Sequence, residues 1–137
     1  MKHLLLALLL FACRFGHAEE YWFTVMGDKA NPAVNTIEVN PVPLDGDGLM
    51  RTMRVRVSRS TLRKSWDGIP YRSYESTVLF DCLQKKAQYL SLVFYLQPAW
   101  QGPSHQTSVF TPDKVRPMLF KDVVPNPTGR IIRAACQ

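Results

Sequence analysis

Closely spaced arginines are the side chains of this sequence with the clearest capacity for chemistry. Seven basic residues lie within the 22 residues from 51 to 72: Arg51, Arg54, Arg56, Arg59, Arg63, Lys64 and Arg72. Because a guanidinium presents a planar fork of donors, such a row suits phosphate, sulfate or carboxylate groups. The ligand would be lipopolysaccharide, another anionic glycan or an acidic protein face. The alternative is a solvated sheet face that keeps the sheet soluble and its edge unpaired.

Catalytic and metal chemistry is not indicated by the remaining residues. Beyond residue 18 the sequence has a single histidine, His105, in a Gly- and Pro-containing stretch. There is no G-x-S-x-G motif, no Gly-rich phosphate loop and no H-E-x-x-H motif. One histidine and two distant cysteines also do not form a tetrahedral zinc site. We therefore predict a non-enzymatic protein with no metal and no cofactor.

Three tryptophans, Trp22, Trp66 and Trp100, are a second set of candidates for binding. Trp66 and Trp100 lie beside Gly or Pro turns, where aromatic rings are often partly exposed and act as interface anchors. The alternative is that they cover the open ends of a small core.

The first 18 residues have the pattern of an export signal. A basic start precedes an apolar run at residues 4–12, and small residues precede Glu19, so we predict a signal peptide cleaved after Ala18 and a single domain over 19–137. Alternatively, residues 10–13 resemble a lipobox, which would lipidate Cys13 and give a lipid-anchored protein. Both routes predict a periplasmic or outer-membrane-surface location, with peripheral or anchored membrane association and no nucleic-acid partner.

Export also explains the odd cysteine count. Cleavage after Ala18 leaves 119 residues and lowers the formal net charge from +6 to +4, because Lys2 and Arg14 leave with the signal. On either route Cys82 and Cys136 remain as a pair, which an oxidising compartment favours as a disulfide. Closing a loop of 55 residues stabilises the fold by about 4 kcal/mol in the chain-entropy model.

Alternating side chains and turn residues predict a mainly antiparallel sheet. Met53, Val55 and Val57 alternate with polar residues, which is typical of a strand with one buried face. The predicted strands span 21–26, 36–40, 50–59, 71–82, 87–96, 107–111 and 118–124. Strand 87–96 is apolar on both faces, with Tyr89 opposite Leu90, and is predicted to be central. Residues 128–136 predict a short helix, capped by Asn126 or Thr128, that returns Cys136 to Cys82.

A frame of short motifs marks the later part of the chain: Tyr71-Arg72-Ser73, Phe80-Asp81-Cys82, the apolar strand 89–95, Gly102, Val124-Pro125-Asn126-Pro127-Thr128 and Ala135-Cys136. This frame resembles the bacterial surface-adhesin protein E family over residues 57–136. The N-terminal third, with its loop at 27–48, is expected to lie outside the resemblance. The resemblance implies an antiparallel sheet of six strands with a C-terminal helix, held by the cysteine pair.

The same resemblance implies a cell-envelope protein, often lipid-anchored, whose named relative binds host extracellular-matrix and serum proteins and haem. We therefore expect an exported binding module that uses the arginine-rich sheet face formed by Arg51, Arg54, Arg56, Arg59, Arg63 and Arg72. The alternative is a structural or assembly component of the envelope with no host ligand, in which sheet edges pair between subunits of a homodimer or larger assembly.

Overall fold

The structure is a computed structural model that describes residues 20–46 and 48–137. The predicted signal peptide at residues 1–18, with its cleavage site and Cys13, lies outside the described residues.

Seven strands, one short 3₁₀ turn and one helix make up the described part of the chain. The strands are β1 (Phe23–Met26), β2 (Thr36–Val39), β3 (Met50–Lys64), β4 (Pro70–Asp81), β5 (Lys86–Tyr95), β6 (Ser104–Val109) and β7 (Arg116–Pro117). The 3₁₀ turn spans Pro98–Trp100, and the helix α1 spans Thr128–Ala135. The helix confirms the prediction for residues 128–136.

The sheet is an antiparallel meander in the order β1-β2-β3-β4-β5-β6. β7 extends β6 along the same edge of β5 by pairing Arg116 and Pro117 with Tyr89 and Gln88. The prediction of a mainly antiparallel sheet of about six strands with a C-terminal helix and one disulfide is therefore confirmed. β5 has partners on both edges, as a central strand should.

One side of the sheet, called the helix side below, carries the hydrophobic core. Val55, Val57 and Phe80 are fully buried there, together with Ile131 and Ala135 of α1. The helix begins where the Asn126 side chain accepts a hydrogen bond from the Thr128 amide at 3.0 Å, so Asn126, one of the two predicted caps, satisfies a first-turn donor. The opposite side of the sheet, the open side, has no α-helix on it among the described residues.

A disulfide joins the end of β4 to the end of α1. The Cys82 and Cys136 sulfurs are bonded, and their Cα atoms lie 5.7 Å apart. This confirms the predicted pair. Because Cys82 continues the helix-side row of β4, the bond fixes the helix over the core.

The predicted last strand at 118–124 is wrong. Met118 and Phe120 are buried, which produced the strand-like pattern. The Met118 amide donates to the Ala87 carbonyl oxygen at 2.9 Å, but β5 begins one residue before Ala87, at Lys86, and offers no further residues for pairing. With no strand left to pair with, the chain turns, and the Val123 amide donates to the Phe120 carbonyl oxygen at 3.1 Å. Other boundaries differ by a few residues; β3 runs on to Lys64 instead of ending at Arg59.

The predicted facing of β5 is also wrong at Tyr89. Thr77 pairs with Ser91 while Val78 pairs with Tyr89, so Leu90 is an extra residue that forms a β-bulge. The bulge shifts the alternation by one, and Tyr89 is buried on the helix side with Leu92 and Phe94. On the open side, Val93 and Tyr95 are only half-buried, so β5 is not covered equally on both faces.

Candidate functional site

Strand β3 sends its arginines to opposite sides of the sheet. Arg54 and Arg56 project to the open side, where they meet carboxylates of β2 and β4. Arg51, Arg59 and Arg63 contact the segment that leads into α1 or the end of α1 itself. The arginines that the sequence placed in one cluster therefore belong to two separate surfaces.

On the open side, Arg56 is held between two indole rings, and Trp22, Arg56 and Trp100 are called the Trp–Arg stack. The guanidinium carbon lies 4.2 Å from the ring centroid of Trp22 and 3.9 Å from that of Trp100. Both distances are within the range of a cation–π contact. The Arg56 Nε and Nη2 atoms both donate to one oxygen of Glu38, at 3.0 and 2.9 Å. Glu38 is 1% exposed, so Arg56 neutralises a buried carboxylate.

Arg54 extends this network along β3. Its Nη1 donates to Glu20 at 2.6 Å and its Nη2 to Glu75 at 3.4 Å, and its guanidinium lies 5.0 Å from the Trp22 ring centroid. The hydrogen bond and charge of Arg54 lower the pKa of the exposed Glu20 carboxyl. The open side is thus a patch of aromatic rings and alternating charges in which the two arginines already have partners.

Trp100 reaches the stack through an unusual backbone. Ala99 and Trp100 have φ angles of 52° and 57°, in the left-handed region that residues with a Cβ seldom adopt. Three hydrogen bonds hold Trp100 there: its amide donates to the Ser73 hydroxyl at 3.0 Å, and its indole donates to the carbonyl oxygens of Tyr74 and Val57 at 2.9 and 3.2 Å. Strained backbone of this kind is concentrated at functional sites.

On the helix side, a pocket of about 160 Å³ opens between the end of β3 and the segment before α1. It is called the tyrosine–arginine pocket and is lined by Arg59, Tyr71, Tyr74, Tyr89, Phe120 and Asp122, among others. Arg59 is 7% exposed, and its Nη1 donates to Asp122 at 3.3 Å. Its Nε is buried and has no hydrogen-bond partner.

Tyr74 and Tyr89 are neutral hydrogen-bonding groups in this pocket. The Tyr74 and Tyr89 hydroxyl oxygens lie 2.5 Å apart, and burial raises the pKa of both phenols above its ordinary value of 10.0. Tyr71 packs edge-on against Tyr74, with ring centroids 5.5 Å apart. Sequence patterns missed this group because the bulge at Leu90 is what turns Tyr89 toward Tyr74.

The other three predicted arginines form structural contacts. Arg51 donates to the main-chain oxygens of Gly48, Ala135 and Gln137. Arg63 pairs with Asp122, beside Arg59. Arg72 donates to the carbonyl oxygens of Pro32, Arg59 and Ser60. Each of the six predicted site arginines therefore has an acceptor within the described residues.

A larger groove of about 520 Å³ lies near the β4–β5 turn. Its lining combines apolar side chains such as Met118 and Ile132 with Lys85 and Lys86. No buried side-chain donor or acceptor in this groove lacks a partner, since the one such atom among the described residues is Arg59 Nε. Nothing in the groove therefore selects a ligand, despite its size.

Three further observations bear on function. Residues 20–46 and 48–137 contain no group of three or more His, Cys, Asp or Glu side chains that could hold a metal ion. His105 lies exposed on β6. Within the same residues, no helix has the length and apolar character needed to cross a bilayer.

Comparison with known proteins gives one match. The model of the family described as surface-adhesin protein E matches residues 22–137, which is most of the chain. No curated protein and no solved structure matches. The match begins at Trp22, so the expectation that the N-terminal third lies outside the resemblance is wrong, and β1, β2 and their loop belong to the family domain.

Proposed function

Since this chain belongs to the surface-adhesin protein E family, we propose that it is an exported, non-enzymatic binding protein of the bacterial surface. The basic, apolar and small-residue pattern of residues 1–18 supports export. Membership in an adhesin family supports binding as its activity, with a host matrix or serum protein as the class of partner.

The observation that carries the proposed binding site is the Trp–Arg stack on the open side. Tryptophan and arginine are the residues that most often dominate the energy of protein interfaces. Trp22 and Trp100 are each partly exposed and are held in place by the arginine between them, so they lose little conformational entropy on binding.

We assign a protein partner to this surface in preference to a polyanion. Arg54 and Arg56 already pair with Glu20, Glu38 and Glu75, so an anionic glycan would have to compete with these carboxylates. A protein surface offers groups of both signs and apolar area, which matches a patch of rings and alternating charges.

Solid-phase binding to a panel of purified extracellular-matrix and serum proteins tests this assignment. Trp22→Ala and Arg54→Ala are each expected to weaken binding to the captured partner by about 10- to 100-fold, the range for interface anchors. Arg130→Ala is the matched control, because Arg130 is an exposed arginine on α1, away from the open side. Equal affinity in all three variants would remove the assignment.

A heparin column distinguishes the polyanion alternative. If heparin or lipopolysaccharide binds the protein and an Arg54→Ala/Arg56→Ala variant loses that binding while remaining folded, the arginine face recognises anionic groups. Retention that is unchanged in this variant assigns any heparin binding to general attraction by the net positive charge of the chain, +4 after the predicted cleavage.

The second candidate function is a structural or assembly role in the envelope. The observation in its favour is that β6 is a six-residue edge strand whose side chains are mostly exposed, and Val109 there is 73% exposed. Such an edge is a template for pairing with a second copy. Sedimentation over a wide concentration range tests this role: association that Val109→Lys abolishes supports it, and a monomer at every concentration contradicts it.

A further inference from the structure

We propose that the tyrosine–arginine pocket binds a small organic carboxylate. This site lies on the helix side of the sheet and is separate from the open side, where the proposed protein partner binds. The proposal therefore adds a second ligand to the molecule and does not depend on the first.

A count of hydrogen-bond donors is the first argument. Tyr74 and Tyr89 have two hydroxyl hydrogens, and only one of them lies in the bond between the two oxygens. The other hydrogen needs an acceptor, and so does the buried Nε of Arg59. Buried donors in native proteins are nearly always paired, so an acceptor placed in the pocket from outside the chain would satisfy both donors.

The charge of the lining gives the sign of that acceptor. Arg59, Arg63 and Lys64 line the pocket together with a single acid, Asp122. Asp122 already accepts from both Arg59 and Arg63. An anionic oxygen placed beside Arg59 Nε would compensate the remaining positive charge and form a charge-assisted hydrogen bond.

The aromatic lining and the volume of the pocket restrict the chemical type and the size of the rest of the ligand, to which the anionic group is attached. Trp66, Phe94 and Phe120 line the pocket beside the tyrosines, so a free inorganic ion would leave aromatic surface uncovered. The volume of 160 Å³ has room for about five waters at liquid density. A carboxylate on a single ring or a short apolar body meets both limits.

The pocket is held by rigid elements, which favours a preformed site. Tyr74 lies in the middle of β4, and the Leu90 bulge aims Tyr89 at it from β5. Arg59 lies where β3 and β4 lose register, between the pair Ser58–Ser73 and the pair Arg63–Tyr71. Its guanidinium lies 5.6 Å from the Phe120 ring centroid, which fixes the orientation of the donor.

Isothermal titration calorimetry with sodium benzoate tests the proposal, and benzamide serves as the neutral ligand of the same shape. We expect saturable binding of benzoate at one site and binding of benzamide at least about 10-fold weaker, since hydrogen bonds to charged groups are the stronger ones. Tyr74→Phe keeps the ring but removes the hydroxyl that holds the Tyr89 hydroxyl in place 2.5 Å away, so it should weaken benzoate binding by about 10-fold.

Two further variants make the outcome decisive. Arg59→Lys keeps the positive charge but removes the Nε–H, and it should weaken benzoate binding at least as much as Tyr74→Phe does. Arg130→Ala, which removes an exposed arginine of α1 outside the pocket lining, should bind benzoate as the wild type does. Near-ultraviolet circular dichroism checks that each variant is folded, and Tyr74→Phe alone suffices if Arg59→Lys does not fold.

The proposal is overturned if benzoate shows no saturable binding, if benzamide binds equally well, or if folded Tyr74→Phe binds benzoate like the wild type. Failure of the protein partner to bind the open side leaves these measurements untouched, because the two sites share no residue.

Discussion

Arg56 and Arg59 are three residues apart on one strand and are in opposite states. Arg56 faces the open side, where two indole rings stack on its guanidinium and Glu38 accepts hydrogen bonds from its Nε and Nη2 atoms. Arg59 faces the helix side, is also withdrawn from water and retains one donor without an acceptor. Proximity to other basic residues in the sequence therefore does not decide whether an arginine is available to bind a ligand. What decides this is whether the protein itself supplies the acceptors.

The largest effect is expected from Arg56→Ala, which sharpens this comparison on the open side. The substitution leaves Glu38, 1% exposed, as an unpaired buried charge and should lower the free energy of unfolding by about 3–5 kcal/mol in urea denaturation. Arg59→Ala should be less destabilising because Asp122 retains Arg63. Equal losses of unfolding free energy in the two variants would contradict the distinction between Arg56, whose charge is paired with Glu38, and Arg59, which keeps a donor without an acceptor.

Removal of the disulfide tests how much the Cys82–Cys136 bond, which attaches α1 to the sheet, contributes to stability. A Cys82→Ala/Cys136→Ala variant should lose about 4 kcal/mol of stability, the loop-closure value, because the bond restricts the unfolded chain. Chemical denaturation of the variant and of the oxidised wild type measures the difference. The reduced wild type is the control, and it should match the variant. A stability unchanged by either treatment would contradict the assigned role of the bond.

Alkaline pH should destabilise the folded protein through Tyr74 and Tyr89 of the tyrosine–arginine pocket. Burial raises the pKa of Tyr74 and Tyr89 in the folded protein, so the unfolded state loses phenol protons first as the pH passes the ordinary value of 10.0. The free energy of unfolding should then fall by about 1.4 kcal/mol per pH unit for each tyrosine. This loss begins above the unfolded pKa and ends above the folded one.

Urea denaturation at a series of pH values measures that slope. Tyr74→Phe should reduce the slope because one of the two coupled phenols is gone. An identical slope in the variant would place the alkaline sensitivity elsewhere in the molecule.

The smallest effect is expected from Arg63→Ala. Its partner Asp122 and its own side chain are each more than a third exposed, so solvent screens the pair, and removing Arg63 should change stability by less than about 1 kcal/mol. Thermal unfolding measures this change. A loss as large as that of Arg56→Ala would show that exposure is the wrong criterion for ranking these arginines.

Patterns of period two were sufficient to predict most of the sheet and the side of Cys82, and the cysteine pair left by the predicted export predicted the disulfide. They failed where tertiary pairing overrides local pattern. Residues 118–124 alternate like a strand but have no partner strand, and the single extra residue Leu90 reverses the facing of Tyr89. A single sequence shows neither whether a segment has a partner strand nor where a β-bulge lies.

The arginine cluster was predictable as a set but not in its roles. Alternation placed Arg54 and Arg56 on one face with Thr52 and Ser58. The acceptors, however, come from residues that are distant in sequence, such as Glu38 on β2 and Asp122 before α1. Trp100 belongs to the stack only because Ala99 and Trp100 both take a left-handed backbone. Gly or Asn in the sequence would have indicated such a conformation, but Ala and Trp do not.

Arg51 gives the end of α1 a second attachment beside the disulfide. Its guanidinium donates at 3.2 Å to the main-chain oxygens of both Ala135 and Gln137, the residues on either side of Cys136. A cation at this position also complements the partial negative charge of a helix C-terminus. In a newly folded, still reduced chain, this contact would confine the Cys136 thiol near Cys82. The two thiols would then meet at a high effective concentration, so the disulfide would form after the helix docks and would hold the helix in its docked position.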